Sequence, residues 1–213
     1  MVAPHQLSAQ LKRILHDDLP GFQAQTEMMP EGRVKLTQYT DLDQAAVLIA
    51  LYPQDGQFCF PLIRRVTDQY AHSGQVGLPG GRFEDNESAE EAALREAWEE
   101  IGIPTSTVRV CGHLSPLPIP VSGYLVNPVV GVLEAEPEWC IQEREVAALL
   151  NVPVQELLAP ENIQAEVRRF SGRSWSIPYF NLAEQKVWGA TAMILAEFRR
   201  ILDRLERDVL TML

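Results

Sequence analysis

The chain has 213 residues, 46% of them hydrophobic, and a formal net charge of −11. This length and composition allow one substantial core and do not require a second domain. The negative charge argues against nucleic-acid binding through a broad basic surface, and no apolar run approaches the length of a membrane span.

The predicted elements begin with an amphipathic helix and continue as short strands. Apolar residues at helical spacing precede Pro20-Gly21 and predict a packed N-terminal helix: Leu7, Leu11, Ile14 and Leu15. Residues 20–44 look irregular, with one strand near 33–39. Two apolar runs flank Pro53-Gln54-Asp55-Gly56 and predict a hairpin of strands 45–52 and 58–65. Further strands are predicted at 107–115, 124–133, 146–152, 163–170 and 174–180.

A central helix is predicted between a start signal and a stop signal. Ser88 followed by Glu91 forms a capping box, and Gly102 with Pro104 ends the helix, which gives bounds of 89–101.

The two faces of this helix differ in chemistry. At about 100° per residue, one face is predicted to pack and the other to concentrate negative charge. The packing face carries Leu94, Ala97, Trp98 and Ile101, and the charged face carries Glu96, Glu99 and Glu100.

The charged face has two alternative interpretations. In the first, Glu91, Arg95 and Glu99 form weak i,i+4 ion pairs on a solvated surface. In the second, the carboxylates hold a divalent cation, for which hard oxygen ligands are suited. The preceding pair Gly80-Gly81 favours the second interpretation, because glycine backbone can approach a ligand closely.

The last predicted element is a helix over 189–213. Its apolar stripe either packs on the sheet or forms a homodimer interface: Phe198, Ile201, Leu202, Leu205 and Val209. We expect one domain over 1–213, with an N-terminal helical extension at 1–32 and a core of about 33–188. Cys59, Cys111 and Cys140 are odd in number and far apart, which predicts reduced, mostly buried thiols in a cytoplasmic protein. Residues 1–15 lack the features of a signal peptide.

The helix and its preceding loop resemble the Nudix box, GX5EX7REUXEEXGU, where U is a bulky aliphatic residue. The matching positions run from Gly81 through Glu87, Arg95-Glu96 and Glu99-Glu100 to Gly102-Ile103, with Ala97 as the soft departure. The resemblance implies an α/β fold, an α/β/α sandwich with a mixed sheet, and metal-dependent hydrolysis of a nucleoside diphosphate linked to another moiety.

Roles for individual residues follow from the same resemblance. It implies that the Gly81 carbonyl and the carboxylates of Glu96, Glu99 and Glu100 hold Mg²⁺ or Mn²⁺. Arg95 would position the carboxylates, and Glu87 would bind metal or support the loop.

A second group of residues resembles the coenzyme A pyrophosphatases of this family. Upstream of the box, Arg65, His72, Gly74-Gln75-Val76 and Pro79 match, whereas Val66, Tyr70 and Leu78 depart from the usual residues. Two later stretches, 122–131 and 187–192, also match. Arg65, His72, Gln75 and Tyr70 are thereby implied as substrate contacts, although Tyr70 replaces an arginine, and a lone loop histidine is more often solvent-facing.

The implied reaction is hydrolysis of the diphosphate of coenzyme A or acyl-coenzyme A to 3′,5′-ADP and 4′-phosphopantetheine or its acyl form. Glu145 resembles a glutamate that assists as base or outer metal ligand, and ordinary surface charge is its alternative role. A diphosphatase for ADP-ribose or a damaged nucleotide is the nearest rival. A binding module that has lost catalysis is another, but it has no need for all three glutamates.

Overall fold

A mixed sheet organises the computed structural model, which describes residues 3–31, 41–66, 74–170 and 173–206. Its strands are β1 (Asp43–Gln54), β2 (Gln57–Arg65), β3 (Val76–Gly77), β4 (Gly80–Arg82), β5 (Val108–His113), β6 (Leu117–Ile119), β7 (Tyr124–Leu133) and β8 (Val146–Pro153). The strand order is β3-β2-β1-β7-β5, with β4 pairing with β1, β6 with β7 and β8 with β2. β1 and β7 are parallel and the other pairs are antiparallel.

A smaller antiparallel sheet, five α-helices and three single-turn 3₁₀ helices complete the described structure. The strands of this sheet are β9 (Ile163–Phe170), β10 (Arg173–Leu182) and β11 (Gln185–Trp188), in the order β11-β10-β9. The α-helices are α1 (Pro4–His16), α2 (Gly21–Gln25), α3 (Ala89–Ile101), α4 (Val154–Leu158) and α5 (Gly189–Leu202).

Strand β1 shows why helices cover both faces of the large sheet. Successive side chains of a strand point to opposite faces, and in β1 both sets are buried. Ile49 and Leu51 lie in one core with α1 and α5, whereas Leu48 and Tyr52 lie in the other with α3. The predicted α/β/α sandwich with a mixed sheet is therefore confirmed.

The N-terminal helix packs as its apolar stripe predicts. Leu7, Leu11, Ile14 and Leu15 are buried against β5 and β7. Gly112 makes room for this contact, because a Cβ on it would lie 2.9 Å from Leu15 Cβ. The interpretation of 20–44 as irregular was wrong in part, since Gly21–Gln25 forms α2; the predicted strand at 33–39 lies outside the described residues.

The C-terminal helix is shorter than predicted. It ends at Leu202, and Asp203–Glu206 continue without helical structure, so the predicted helix to residue 213 was wrong for these positions. Its stripe is nevertheless buried within the chain through Phe198, Ile201 and Leu202, and Leu205 packs beyond the helix end. The packing alternative therefore holds for these four residues, and Val209 lies outside the described part.

The three cysteines are free thiols; Cys59 and Cys111 are buried and Cys140 is exposed. Within the described ranges, no helix is both long and apolar enough to cross a membrane.

Candidate active site

Helix α3 has the bounds that its capping residues predict. The Ser88 hydroxyl accepts a hydrogen bond from the Glu91 amide at 3.3 Å, and Glu91 accepts one from the Ser88 amide at 2.8 Å. At the other end, Gly102 adopts the left-handed conformation with φ of 78°. These caps fix the first and last residues of the helix, and therefore the positions of its charged residues along the helix.

The predicted faces of α3 were wrong at two positions. Trp98 is 55% exposed, whereas Glu100 is buried. The helix contacts the sheet mainly through alanines, whose small side chains allow close approach, and Glu100 lies on the same side as Ala93 and Ala97 at about 100° per residue. A prediction based on side-chain hydrophobicity therefore included Trp98 in the packing face and left out Glu100.

Glu100 is the most buried carboxylate of the motif. Its side chain is 1% exposed and forms an ion pair with Arg65 at 3.1 Å. It also accepts a hydrogen bond from the Gly80 amide at 2.9 Å, and Arg65 donates to the Gly80 carbonyl at 2.8 Å. Burial raises the pKa of Glu100 to about 7, although Arg65 and the Gly80 amide oppose the change. The negative charge at this position is only partly compensated by the protein.

Glu96 lies directly against the glycine loop. A Cβ on Gly81 would be 2.3 Å from Glu96 Oε1, so a larger residue at 81 would displace this carboxylate. Gly80 is also required, because its φ is 152° and a Cβ there would lie 2.2 Å from the Ala46 carbonyl oxygen. Burial raises the pKa of Glu96, against the influence of the Arg95 guanidinium.

Arg95 connects the carboxylates to one another and to the loop. Its Nε and Nη2 donate to the two oxygens of Glu87 at 2.7 and 2.9 Å, and its Nη1 donates to Glu96 at 2.9 Å and Glu99 at 3.0 Å. Nη2 also donates to the Arg82 carbonyl at 2.9 Å. A planar guanidinium with five donors suits this arrangement better than a lysine would. The geometry is that of a positioning residue, and Glu87 supports the loop by also accepting from the Glu84 amide.

The carboxylates do not form a closed metal cage by themselves. Within the part of the chain that the structure describes, no three His, Cys, Asp or Glu side chains converge closely enough to hold a metal ion. Glu99, which is 46% exposed, is turned toward Arg95. The donor set nevertheless fits Mg²⁺ or Mn²⁺, because Glu96 and Glu100 offer hard oxygens whose buried charge a cation would offset. The ligand roles of Gly81, Glu96, Glu99 and Glu100 stay predictions.

A cleft of about 240 Å³ opens beside the glycine pair. It includes two of the predicted substrate contacts, Arg65 and Gln75, while Tyr70 and His72 lie outside the described residues. Its walls come from β1, from the segment before α3, from the β6–β7 region and from the start of α5. Most of these lining side chains are apolar: Ala45, Val47, Val76, Leu78, Ile119, Val126, Ala190 and Ile194.

Sequence reasoning missed several polar residues that line this cleft. The Arg82 guanidinium lies 5.2 Å from the centre of the Tyr124 ring, and Ser122 and Thr191 also line the space. The stretches around Tyr124 and Thr191 had been matched to the coenzyme A subgroup, but only the tertiary structure places them at one cavity. Arg82 follows the glycine pair directly, which was the available signal.

Glu145 lies on an exposed loop that docks on the end of α3. The Gln142 amide donates to the Glu100 carbonyl at 2.9 Å, and the Glu145 carbonyl accepts from the Val66 amide at 3.0 Å. The negative charge of Glu145 contributes to the raised pKa of Glu100. Its predicted role as base or outer metal ligand stays a prediction.

Comparisons with known proteins agree with this arrangement. The model of the NUDIX domain matches residues 42–172. A relative from Pectobacterium atrosepticum, named uncharacterized Nudix hydrolase NudL, is 39% identical over 164 residues, which cover 71% of this chain and 79% of the relative. A protein of the same name from Escherichia coli (strain SMS-3-5 / SECEC) is 41% identical over 165 residues, covering 72% and 80%.

Solved structures show the same fold at low sequence identity. RenU, a Nudix hydrolase from M. smegmatis, is 19% identical, with a TM-score of 0.53 and coverage of 79% of this chain and 90% of that chain. A MutT/nudix family protein from Enterococcus faecalis is 17% identical, with a TM-score of 0.53 and coverage of 97% and 77%. With its family-model match over most of the chain and its relatives near 40% identity, the chain belongs to the Nudix hydrolase family.

Proposed function

We propose that this Nudix hydrolase cleaves the diphosphate of coenzyme A or acyl-coenzyme A, giving 3′,5′-ADP and 4′-phosphopantetheine or its acyl form. One observation carries the proposal. Residues of the separate segments that resemble coenzyme A pyrophosphatases, among them Arg65, Gln75, Tyr124 and Thr191, line a single cleft beside Gly80-Gly81. A generic diphosphatase requires only the motif itself, so this convergence supports the subgroup.

The catalytic end of the cleft would bind the diphosphate and its metal ions. Glu96, Glu99 and Glu100 would hold Mg²⁺ or Mn²⁺, which when bound neutralises phosphate charge and lowers the pKa of a coordinated water. In the reaction, a water oxygen forms a bond to one phosphorus and the P–O bond to the bridging oxygen breaks. Glu145 is our candidate for the group that accepts the proton of this water.

Two arginines would support the reaction without coordinating metal. Arg65 keeps Glu100 in place through the 3.1 Å ion pair, and its side chain is 38% exposed, so it can also reach a phosphate oxygen. Arg82 lies at the edge of the cleft next to Gly81 and offers a second cation to the diphosphate. This local positive charge permits a polyanionic substrate in spite of the net charge of −11.

The apolar part of the cleft suits the remainder of the substrate. Pantetheine and its acyl derivatives have long aliphatic portions, and ligand sites are mostly apolar with a few placed polar groups. Ile119, Val126 and Ile194 provide such a surface beyond the catalytic end.

The test is direct competition between substrates. The purified protein would be incubated with Mg²⁺ or Mn²⁺ and with coenzyme A, an acyl-coenzyme A, dephospho-coenzyme A and ADP-ribose, in ¹⁸O-labelled water. We expect the highest kcat/KM for coenzyme A or its acyl form, with 3′,5′-ADP among the products by mass spectrometry. Glu100→Gln is the catalytic control. A higher kcat/KM for ADP-ribose would overturn the proposal and leave the family assignment intact.

A further inference from the structure

A second buried carboxylate of this protein lies on α5, away from the catalytic helix. Glu197 is 0% exposed. Its Oε1 accepts hydrogen bonds from the backbone amides of Gly21 at 3.0 Å and Ser115 at 3.3 Å, and its Oε2 accepts from Gln25 Nε2 at 2.8 Å. All three donors are uncharged. Because burying a carboxylate costs several kcal/mol unless it is well hydrogen-bonded, these three contacts are required to keep it there.

The same residues hold both polar groups of one peptide segment. Gln25 Nε2 also donates to the Ser115 carbonyl at 2.9 Å, and Gln25 is itself fully buried. Ser115 is therefore held at its amide by α5 and at its carbonyl by α2. We call Gly21, Gln25, Ser115 and Glu197 the Ser115 clamp.

The segment that starts at Ser115 is stiff and leads to the substrate cleft. From Pro116 to Pro120 every second residue is proline, which fixes its own φ and restricts the residue before it. A displacement at Ser115 would therefore be transmitted along the segment. The segment and the turn after it bring Ile119, Ser122 and Tyr124 to the cleft wall.

Helix α5, which carries Glu197 of the clamp, also contributes residues to the cleft. Ile194, which lies three residues before Glu197 on α5, lines the cleft together with Thr191. Residues three apart lie on the same face of a helix, so α5 presents cleft residues and the clamp carboxylate on one side. The clamp thus joins two walls of the cleft to α2, which lies outside the residues 42–172 matched by the family model.

We propose that Glu197 is a positioning residue that sets the spacing of the substrate cleft, and that α2 is a working part of the substrate-binding apparatus. The inference rests on the cleft being the substrate site, as in the proposed function, but not on which diphosphate is cleaved. Helix α3 packs on the other face of the sheet from α5, and its carboxylates meet the cleft only at Gly80-Gly81, away from the clamp. Loosening the clamp should therefore weaken substrate binding more than it slows the chemical step.

The decisive variant is Glu197→Gln, which keeps the shape of the side chain but turns one acceptor into a donor that faces N–H groups. We expect KM to rise about 5- to 10-fold and kcat to change less than about twofold. The assay uses whichever of coenzyme A and ADP-ribose the wild-type enzyme hydrolyses. Amide hydrogen exchange is measured in parallel and should accelerate in residues 115–124 but not in 89–101.

Phe198→Leu is the matched control, because Phe198 is fully buried next to Glu197 in the sequence but supplies none of the hydrogen bonds of the clamp. It should lower the melting temperature without changing KM or exchange in 115–124. Gln25→Met removes the donor from α2 and serves as the second variant should Glu197→Gln fail to fold, with the same expected KM rise and faster exchange.

Unchanged KM and unchanged amide exchange in the folded variants would overturn the proposed role of the clamp. Changes in KM and exchange of the same size in Phe198→Leu would overturn it too. Hydrolysis of ADP-ribose in preference to coenzyme A would overturn only the proposed substrate. If neither compound is hydrolysed, the exchange of 115–124 decides: acceleration supports the clamp and no change overturns it.

Discussion

Replacing Glu100 with glutamine should change how the stability of the metal-free protein depends on pH. The pKa of Glu100 is raised by burial from 4.5 to about 7, so the folded state binds its proton more tightly than the unfolded state does. The contribution of Glu100 to stability is therefore most favourable below pH 4.5 and is lost as the pH rises through 7. Glu100→Gln cannot titrate and should lack this loss.

The size of the effect follows from the pKa change. At 1.36 kcal/mol per pKa unit, the change from 4.5 to about 7 corresponds to about 3 kcal/mol. Between pH 4.5 and 8, we expect Glu100→Gln to become more stable relative to wild type by about this amount, measured as a larger free energy of unfolding. Hydrolysis should be nearly abolished in the same variant, because a neutral amide is a weaker metal ligand.

Urea denaturation in EDTA at several pH values, on both proteins, measures the difference. Glu99→Gln is the matched control, because this carboxylate belongs to the same helix and motif but is 46% exposed. We expect it to lose activity without the gain in stability of Glu100→Gln, because this exposed side chain is not desolvated on folding as Glu100 is. Parallel stability profiles for wild type and Glu100→Gln would refute the reasoning that burial of Glu100 destabilises the metal-free protein.

Three further predictions concern the glycine loop and the arginines. Gly81→Ala should lower kcat and cost about 1–3 kcal/mol of stability, because the added Cβ would meet Glu96. Steady-state kinetics and thermal unfolding measure the two effects, and an unchanged kcat and stability would contradict the close contact. Arg95→Lys should lower kcat about 10- to 100-fold, since a lysine cannot donate two parallel hydrogen bonds to Glu87 while also bonding Glu96. If the variant has the same kcat as wild type at saturating Mg²⁺, these hydrogen bonds are dispensable. Arg82→Gln should raise KM several-fold with little change in kcat, and equal losses in both constants would place Arg82 in the chemical step instead.

The sequence by itself determined the catalytic helix and the family. Ser88, Glu91 and Gly102 are local signals whose hydrogen bonds form within a few residues, so the bounds of α3 could be predicted. The strands β1 and β7 were also predictable as apolar runs, because strands buried on both faces carry few polar residues. The spacing from Gly81 to Gly102 was sufficient to identify the chemistry of the motif.

Elements whose bounds depend on tertiary contacts were predicted less well. The glycine strand β4 forms only because Gly80 and Gly81 pair with β1, and nothing in the local sequence favours a strand there. Likewise α5 ends at Leu202 although the apolar spacing continues to Leu205, which packs without helical structure. Periodicity records which residues are buried and does not record whether the backbone stays helical.

Only the tertiary structure decided the environment of the charged residues. The amino-acid pattern placed Glu100 on the charged face, opposite the packing face, whereas the alanines of α3 bring the helix close enough to the sheet to bury it against Gly80 and Arg65. Glu197 gave no signal in the sequence at all, because its three hydrogen-bond donors come from segments far apart in the chain. The burial of a carboxylate cannot be read from the sequence, because the hydrogen-bond donors that stabilise it come together only when distant segments pack.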